Sequence, residues 1–272
     1  MKKFLRTYLP FAKNCIKRAL AYDISVYLWI FCTMFGTFIS YYLWMAVYRS
    51  ADSSTIAGLS QNEMVIYIFM TYFVSSLVMI DISEEINEDV VKGNVAMNLI
   101  KPIEYRTSLI FTALGDVAFR FFAPNVFIWI GVEIYRVAVL GMQVTGITTI
   151  LLFVLSAIMS FLIYVFFEFC FGMIAFYTTY IFGLQIAKAA ILSFLTGQLI
   201  PLSFFPEAFQ RVFDFLPFSS IVYTPVMIYL NKYSANELGF VLVRQFAWVI
   251  ILYVLGCFIW KKVTKRLVVL GG

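Results

Sequence analysis

Long uninterrupted apolar runs dominate the pattern of hydrophobic and polar positions along this chain. About 20 apolar residues in a helix cross the hydrocarbon core of a bilayer, and six runs reach or approach that length. The predicted spans are residues 24–48, 64–82, 117–140, 147–176, 181–200 and 238–260. The pattern therefore predicts an all-α integral membrane protein with six transmembrane helices, in a single domain over residues 1–272. The boundary near residues 177–183 is poorly marked, and joining the runs on either side gives a five-span alternative.

The first 22 residues combine scattered Lys and Arg with an apolar stripe at helical spacing, which includes Leu5, Leu9, Ala12 and Leu20. This combination is typical of a helix that lies along the membrane surface. We therefore expect an amphipathic surface helix at residues 1–22, kinked or divided at Pro10. No small-residue cleavage site follows the next apolar run, so a signal peptide is not indicated.

An acidic segment follows the second apolar run. Ile82, Ile86 and Val90 recur at four-residue steps among acidic residues, which predicts a short amphipathic helix that Gly93 ends. Pro102 then limits any second helix to the stretch before it. Such a helix suits docking to a partner protein, a solvated acidic loop is the alternative, and the spacing matches no calcium-binding loop. Within the loop at residues 83–106, the candidate docking residues are Ser83, Glu84, Glu85, Ile86, Glu88, Asp89, Val90 and Lys92.

Prolines punctuate a strongly apolar segment at residues 198–233. Proline interrupts a continuous helix, yet the segment is too apolar for an aqueous loop. Broken helices that dip part-way into the bilayer satisfy both facts, and a helical loop lying fully on the surface is the alternative. One short helix is expected at residues 206–216. The residues that mark this segment are Gly197, Pro201, Phe205, Pro206, Phe209, Phe213 and Pro217.

Composition and charge support a membrane protein and predict its orientation. The chain is 62% hydrophobic and only 13% charged, whereas soluble domains average about 45–50% apolar and about 25% charged residues. Lys and Arg gather at both ends of the chain and after the second run, so we expect both termini and the acidic loop to be cytoplasmic. Residues 198–233 are then external. The net charge of +5 reflects this topology and contact with anionic lipid rather than with nucleic acid.

The residues needed for bond-making chemistry are missing from the sequence. The chain has no histidine, and its four cysteines show no CxxC spacing, so we expect no metal or redox site. It contains no Gly-x-x-x-x-Gly-Lys-Ser/Thr loop that would hold nucleotide phosphates. We therefore expect no catalytic residue and no cofactor bound by this chain.

Charged and aromatic residues within the spans are the remaining candidates. A charge inside a bilayer normally faces protein or water, so we expect Arg120 and Glu168, at similar depths on neighbouring spans, to form an intramembrane ion pair. Structural pairing is favoured over a substrate site. Aromatic residues on the first, second and fifth spans are candidates to line an apolar pathway, although helix packing and lipid contact explain them better. These residues are Tyr41, Tyr67, Phe69, Tyr72 and Phe194.

Two sequence motifs and the order of the segments carry a family resemblance. A run Leu99-Ile100-Lys101-Pro102-Ile103 follows the acidic helix, and the pattern Gly197-x-x-Ile200-Pro201-Leu202-x-x-Phe205-Pro206 precedes the last span. With the basic surface helix, this arrangement resembles the ABC type-2 exporter permeases. The similarity is greatest to the small permeases that pair with a second permease and a separate ATPase, and it covers nearly the whole chain.

The resemblance implies a role for each polar segment. Residues 83–92 would be the coupling helix that sits on a cytoplasmic ABC ATPase, and residues 7–21 would touch the same ATPase. The Pro-rich segment would form re-entrant helices at the external mouth of the pathway. ATP and Mg²⁺ would bind the ATPase. The pathway would lie between two permease chains, either two copies or two relatives, in a bacterial plasma membrane. A non-transporting scaffold or accessory subunit and a secondary carrier remain alternatives, and no inverted repeat supports the carrier.

Overall fold

The computed structural model describes residues 2–21, 23–51, 54–178 and 181–270. These residues are mainly helical and include a hairpin of two short antiparallel strands, β1 (Thr55–Ile56) and β2 (Leu59–Ser60). The helices are α1 Lys2–Ala21, α2 Asp23–Ser50, α3 Gln61–Val78, α4 Ile82–Val91, α5 Asn94–Ile100, α6 Tyr105–Arg120, α7 Val126–Ile134, α8 Ile147–Gly172, α9 Phe182–Leu195, α10 Glu207–Phe215, α11 Tyr223–Tyr229 and α12 Ala235–Leu270. Short 3-10 helices occupy Met173–Phe176, Leu202–Phe204 and Phe218–Ser220. The predicted all-α class is confirmed.

Within the part of the chain that the structure describes, four helical segments are long and apolar enough to cross a bilayer: Ile30–Ser50, Gln61–Val91, Ile147–Phe176 and Ala235–Lys265. They correspond to the first, second, fourth and sixth predicted spans. The fifth corresponds to α9, whose 14 residues extend only about 21 Å at a helical rise of ~1.5 Å per residue. The count of six spans therefore stays a prediction.

The third predicted span belongs to a longer helix with two π-helical interruptions. Helix α6 continues through Phe121–Asn125 into α7, and α7 continues into Tyr135–Val139. Pro124 lies in the first interruption and has no N–H to donate, which favours a local change in the bonding pattern. The buried Asn125 side chain stabilises the first interruption, because its amide N–H donates a hydrogen bond to the Arg120 carbonyl oxygen at 2.8 Å. The helix carries Asp116, Arg120, Glu133 and Arg136 along its length, so it is less uniformly apolar than its neighbours.

Helices α3, α8 and α11 form the centre of the fold. Tyr67 on α3, Ile163 on α8 and Tyr229 on α11 are almost completely buried, whereas α2 and α12 leave most of their apolar side chains exposed. Helix α3 begins at a capping box in which the Glu63 N–H donates to Ser60 Oγ and the Ser60 N–H donates to the Glu63 carboxylate. The central position of the short α11 places the last part of the Pro-rich segment in the core.

Helix α1 packs along α6 at very close range. A Cβ atom on Gly115 of α6 would lie 2.4 Å from the carbonyl oxygen of Ala12, so only glycine permits this approach. Tyr8 and Cys15 are buried on the same face, while the predicted apolar stripe, which includes Leu5, is mostly exposed. Helix α1 continues through Pro10, so it is not divided there, and the alternative of a kink stays a prediction.

Candidate functional site

The acidic helix α4 sits directly on the end of α8. Ile86 is completely buried and Ile82 nearly so. A Cβ atom on Gly172 of α8 would lie 2.7 Å from Ile86 Cδ1 and 3.1 Å from Ser83 Cα. The absence of a side chain at Gly172 therefore allows the backbone of α4 to approach α8 closely.

A buried ion pair holds the first turn of α4. Glu168 on α8 and Lys188 on α9 lie 2.5 Å apart, and their side chains are 0% and 4% exposed. The Glu168 carboxylate also accepts a hydrogen bond from the Ser83 N–H at 3.2 Å, and Lys188 donates to Ser83 Oγ at 2.9 Å. N–H groups in the first turn of a helix lack partners within the helix and favour a negative charge. The cluster Ser83–Glu168–Lys188 thus joins α4, α8 and α9.

The expected ion pair between Arg120 and Glu168 stays a prediction. Arg120 pairs with Asp116 at 2.7 Å on its own helix and donates to the Ser76 carbonyl of α3 at 3.2 Å, while Glu168 pairs with Lys188. The depth estimate for Arg120 and Glu168 carried no information about the direction in which either side chain points. Lys188 on α9 supplies the charge that compensates Glu168.

The outward side of α4 remains exposed and acidic. Glu84, Glu88 and Lys92 are exposed, and Lys92 pairs with Glu88 at 2.6 Å. Of the other candidate docking residues, Ser83 and Ile86 face inward, whereas Glu85, Asp89 and Val90 are partly buried. The structure thus separates an inner set of candidate docking residues, which anchors α4, from an outer set.

Asp89 links α4 to the following helices rather than pointing outward. It accepts hydrogen bonds from Tyr105 at 2.8 Å and from Asn98 at 3.0 Å. Burial raises the pKa of the Tyr105 hydroxyl, and the nearby Asp89 charge raises it further. The hydroxyl therefore keeps its proton and acts as a donor to Asp89.

Helix α5 adds apolar side chains to the exposed face, which sequence reasoning missed. Val91 at the end of α4 is 58% exposed, and Met97 and Ile100 on α5 are 63% and 81% exposed. Gly93 between the helices has φ +72°, a conformation that suits glycine and that turns α5 relative to α4. Together the exposed residues form what we call the α4–α5 face, which consists of Glu84, Glu88, Val91, Lys92, Met97 and Ile100. The placement of Met97 and Ile100 just before Pro102 was the available signal.

The Pro-rich segment is held at its start by α3. Gly197 has φ +77°, and a Cβ atom there would lie 3.0 Å from the Tyr67 hydroxyl. That hydroxyl donates to the Gly197 carbonyl at 2.6 Å. Pro201 and Pro217 are buried, whereas Pro206 is exposed. The segment is therefore anchored at Gly197 and turns outward around Pro206.

Helix α10 lies at the surface of the molecule. Phe213 is its one buried residue and meets the Phe205 ring edge to face, with the ring centroids 5.2 Å apart. Gln210 donates to the Phe205 carbonyl at 2.6 Å, which holds the helix back against the preceding turn. Phe209 is 56% exposed. The predicted short amphipathic helix is confirmed, with bounds one residue shorter at each end.

Residues 24–271 match the family model for ABC-2 family transporter proteins. The chain belongs to this family. It is therefore a membrane-embedded transport permease, and the predicted family resemblance is confirmed. The match begins after α1, so it includes α6 but not the α1 helix that packs on it. No curated protein matches the chain.

The aromatic residues proposed for the pathway of this ABC-2 permease do not share one cavity. Tyr41 and Phe69 line an apolar groove of about 730 Å³ between α2, α3 and α7. Tyr67 and Tyr72 line a separate groove between α2, α3 and the end of α9, and the Tyr67 hydroxyl is already bonded to Gly197. Phe194 is 45% exposed on α9 and lines neither groove. The five positions thus have different surroundings.

Proposed function

We propose that this ABC-2 permease is the transmembrane subunit of an ATP-driven exporter and docks a separate cytoplasmic ATPase through the α4–α5 face. The observation that carries the proposal is the asymmetry of α4. One side is anchored to α8 and α9 by a buried ion pair, and the other presents exposed acidic and apolar side chains. A helix of this kind is suited to pass the movement of a partner into the spans.

The chemistry of the α4–α5 face suits a specific kind of docking site. Glu84 and Glu88 would meet basic side chains on the ATPase, while Met97 and Ile100 would enter an apolar pocket. Aromatic and aliphatic anchors usually supply most of the affinity, and charges at the rim mainly steer association. We therefore assign the stability of docking to the apolar side chains and its orientation to the acidic ones.

The route of coupling follows from the anchor of α4. Displacing α4 relative to α8 would break the two hydrogen bonds between Ser83 and the Glu168–Lys188 pair, and leaving buried hydrogen-bonding groups unpaired is costly. The low-energy response is for α8 and α9 to move with α4. In this proposal, ATP and Mg²⁺ bind the ATPase, and closure of the ATPase moves α4, α8 and α9 together.

The pathway is assigned to the boundary between two permease chains, which are either two copies or two relatives. Helix α2 supports this because its apolar side chains are largely exposed, which leaves it free to contact another chain. The orientation expected from the positive-inside rule puts the α4–α5 face and both termini in the cytoplasm of a bacterial cell, and puts α10 outside.

Co-purification in a mild detergent tests the proposal. The chain should retain an ATPase, and the double variant Glu84→Lys/Glu88→Lys should retain much less of it. Glu207→Lys on α10 is a matched control, because Glu207 and Arg211 form an exposed pair four residues apart, as Glu88 and Lys92 do. Exposed pairs of this kind contribute only about 0.3–0.5 kcal/mol, so neither change should unfold the chain.

Two results would contradict the proposal. One is a chain that purifies without any ATPase under several conditions, which would favour an accessory subunit or a carrier. The other is equal ATPase retention by the α4 double variant and the Glu207→Lys control, which would remove the docking role from the α4–α5 face.

A further inference from the structure

A groove between α2, α3 and the end of α9 is rich in hydroxyl groups. Its volume is about 340 Å³, at the lower end of the range of about 300–1,000 Å³ for ligand pockets. Its polar lining comes from serine, threonine and tyrosine side chains and one glutamine amide. No charged side chain is among the described residues that line it. In a membrane protein, such a groove offers many hydrogen-bonding groups without any net charge.

Several of these hydroxyl groups can still accept hydrogen bonds. Thr37 donates to the Thr33 carbonyl at 2.9 Å, and Ser193 donates to the Ala190 carbonyl at 2.7 Å. Ser75 donates to the Tyr72 carbonyl at 3.2 Å. A hydroxyl has one proton and two acceptor sites, so each of these side chains uses its proton on its own helix and keeps acceptor capacity. The groove therefore favours a ligand that donates hydrogen bonds.

Two buried hydroxyl groups in the groove have capacity to donate as well. Thr71 and Tyr72 are only 3% and 8% exposed. Their hydroxyl groups lie near those of Tyr67 and Thr33 respectively, but no hydrogen bond of good geometry reaches either hydroxyl oxygen from the described residues. Leaving a buried polar group unpaired costs about 1–3 kcal/mol. A ligand that both donates and accepts hydrogen bonds would remove this cost.

We propose that the groove binds the uncharged, hydroxyl-rich part of the transported molecule, meaning a sugar group, either free or as the headgroup of a glycolipid. This inference rests on the proposed transport function and adds the substrate class to it. A hydrocarbon chain would leave Thr71 and Tyr72 unpaired. A charged group would lie in the membrane without a counter-charge from the described lining, which is costly. A sugar ring supplies neighbouring donors and acceptors and carries no charge.

Protection of Cys32 from alkylation tests the proposal. Cys32 lines the groove and is exposed. The full-length chain in lipid nanodiscs is treated with N-ethylmaleimide, and the alkylation rate of the Cys32 peptide is followed by mass spectrometry. Glucosyl-diacylglycerol in the nanodisc and maltose in the buffer are the two sugar probes. Diacylglycerol, phosphatidylglycerol and a neutral alanine tetrapeptide are the comparison compounds.

At least one sugar probe should slow alkylation of Cys32, by roughly threefold at about twice its Kd, because only the unoccupied fraction reacts. The probe that protects identifies the glycolipid or the free sugar as the source. Thr71→Val and Tyr72→Phe should each weaken the protection. Tyr42→Phe, which removes an exposed hydroxyl from α2 outside this groove, should leave it unchanged.

The proposal is overturned if neither sugar probe slows alkylation, or if diacylglycerol, phosphatidylglycerol or the peptide slows it equally. The comparison among probes uses the wild-type chain, so it does not depend on the folding of any variant. It needs neither ATPase nor transport. A chain that retains its ATPase but shows no sugar protection would refute the substrate class alone.

Discussion

Replacing Lys188 by methionine tests the buried ion pair that anchors α4. Methionine keeps most of the length of the side chain and removes its charge. Glu168 then keeps hydrogen-bond donors, which are the Ser83 N–H and the Tyr164 hydroxyl, but loses its positively charged partner. Asp81 is the only other recorded ion-pair partner of Lys188 among the described residues, at 3.7 Å, and it does not neutralise Glu168. The perturbation therefore isolates a single charge in the interior.

The expected loss in the free energy of unfolding is large because both side chains of the pair are buried. The Glu168 side chain is fully buried and that of Lys188 is 4% exposed. Removing one member of such a pair typically costs about 3–5 kcal/mol, whereas replacing both with neutral groups is often close to neutral. Lys188→Met should therefore be strongly destabilising. The double variant Glu168→Gln/Lys188→Met should recover most of the loss, because the amide oxygen of the introduced glutamine can still accept a hydrogen bond from the Ser83 N–H.

Reversible unfolding of the purified chain in mixed detergent micelles measures the free energy of unfolding of the wild type and of each variant. The double-variant cycle, completed with Glu168→Gln, should give a coupling energy above the usual range of about 0.5–3 kcal/mol, because each single change leaves a buried charge unpaired and costs about 3–5 kcal/mol. Asp116→Asn is the matched control, because its pair with Arg120 is more exposed, at 21% and 22%, and its loss should cost less. A cost below about 1 kcal/mol for Lys188→Met, or a double variant as unstable as the single one, would refute the reasoning about a desolvated pair.

Three further changes test contacts elsewhere, each by the same unfolding measurement. Gly172→Ala should cost about 1–3 kcal/mol by overpacking, and Ile86→Val in the same chain should recover part of it, because Ile86 Cδ1 is the nearest atom at 2.7 Å. Gly115→Ala should cost at least as much, because it meets rigid backbone, and should expose α1 to protease. Tyr67→Phe should cost about 1–3 kcal/mol, because it removes the donor to the Gly197 carbonyl.

Each of these changes has a control in the same protein. Gly131→Ala places a methyl group where nothing lies within 4 Å, so it should be tolerated, and an equal loss there would show that helix glycines are generally sensitive. Tyr42→Phe removes an exposed hydroxyl and should leave the free energy of unfolding unchanged. If Ile86→Val fails to relieve Gly172→Ala, the contact between those two residues is not the source of the cost.

Features set by local chemistry were predictable from the sequence. The α4 helix, its end near Gly93 and the limit that Pro102 places on α5 all follow from periodicity and from residues with restricted backbones. The amphipathic α10 was equally clear. Both helices have one polar and one apolar side, so periodicity identifies the face that packs.

Features that depend on contacts between different helices were not predictable from the sequence. The partner of Glu168 lies 20 residues later, and neither its depth nor its spacing indicates which way it points. The apolar runs of α2 and α3 look alike in composition, so nothing in them shows that α3 is central and α2 peripheral. Thr37 and Ser75 appeared as ordinary interruptions of apolar runs, and only the packing of the helices brings their hydroxyl groups into one groove.

The position of Glu168 and Lys188 also constrains how the chain is made. The two residues are close in sequence and lie on consecutive helices, so at a synthesis rate of about 5–20 residues per second Lys188 leaves the ribosome only seconds after Glu168. If α8 and α9 enter the bilayer together as a helical hairpin, their opposite charges cancel during insertion. Ser83, synthesised earlier, is then already present to receive the completed pair. The same contact that anchors α4 thus lets biosynthesis deliver two buried charges to the membrane as a neutral unit.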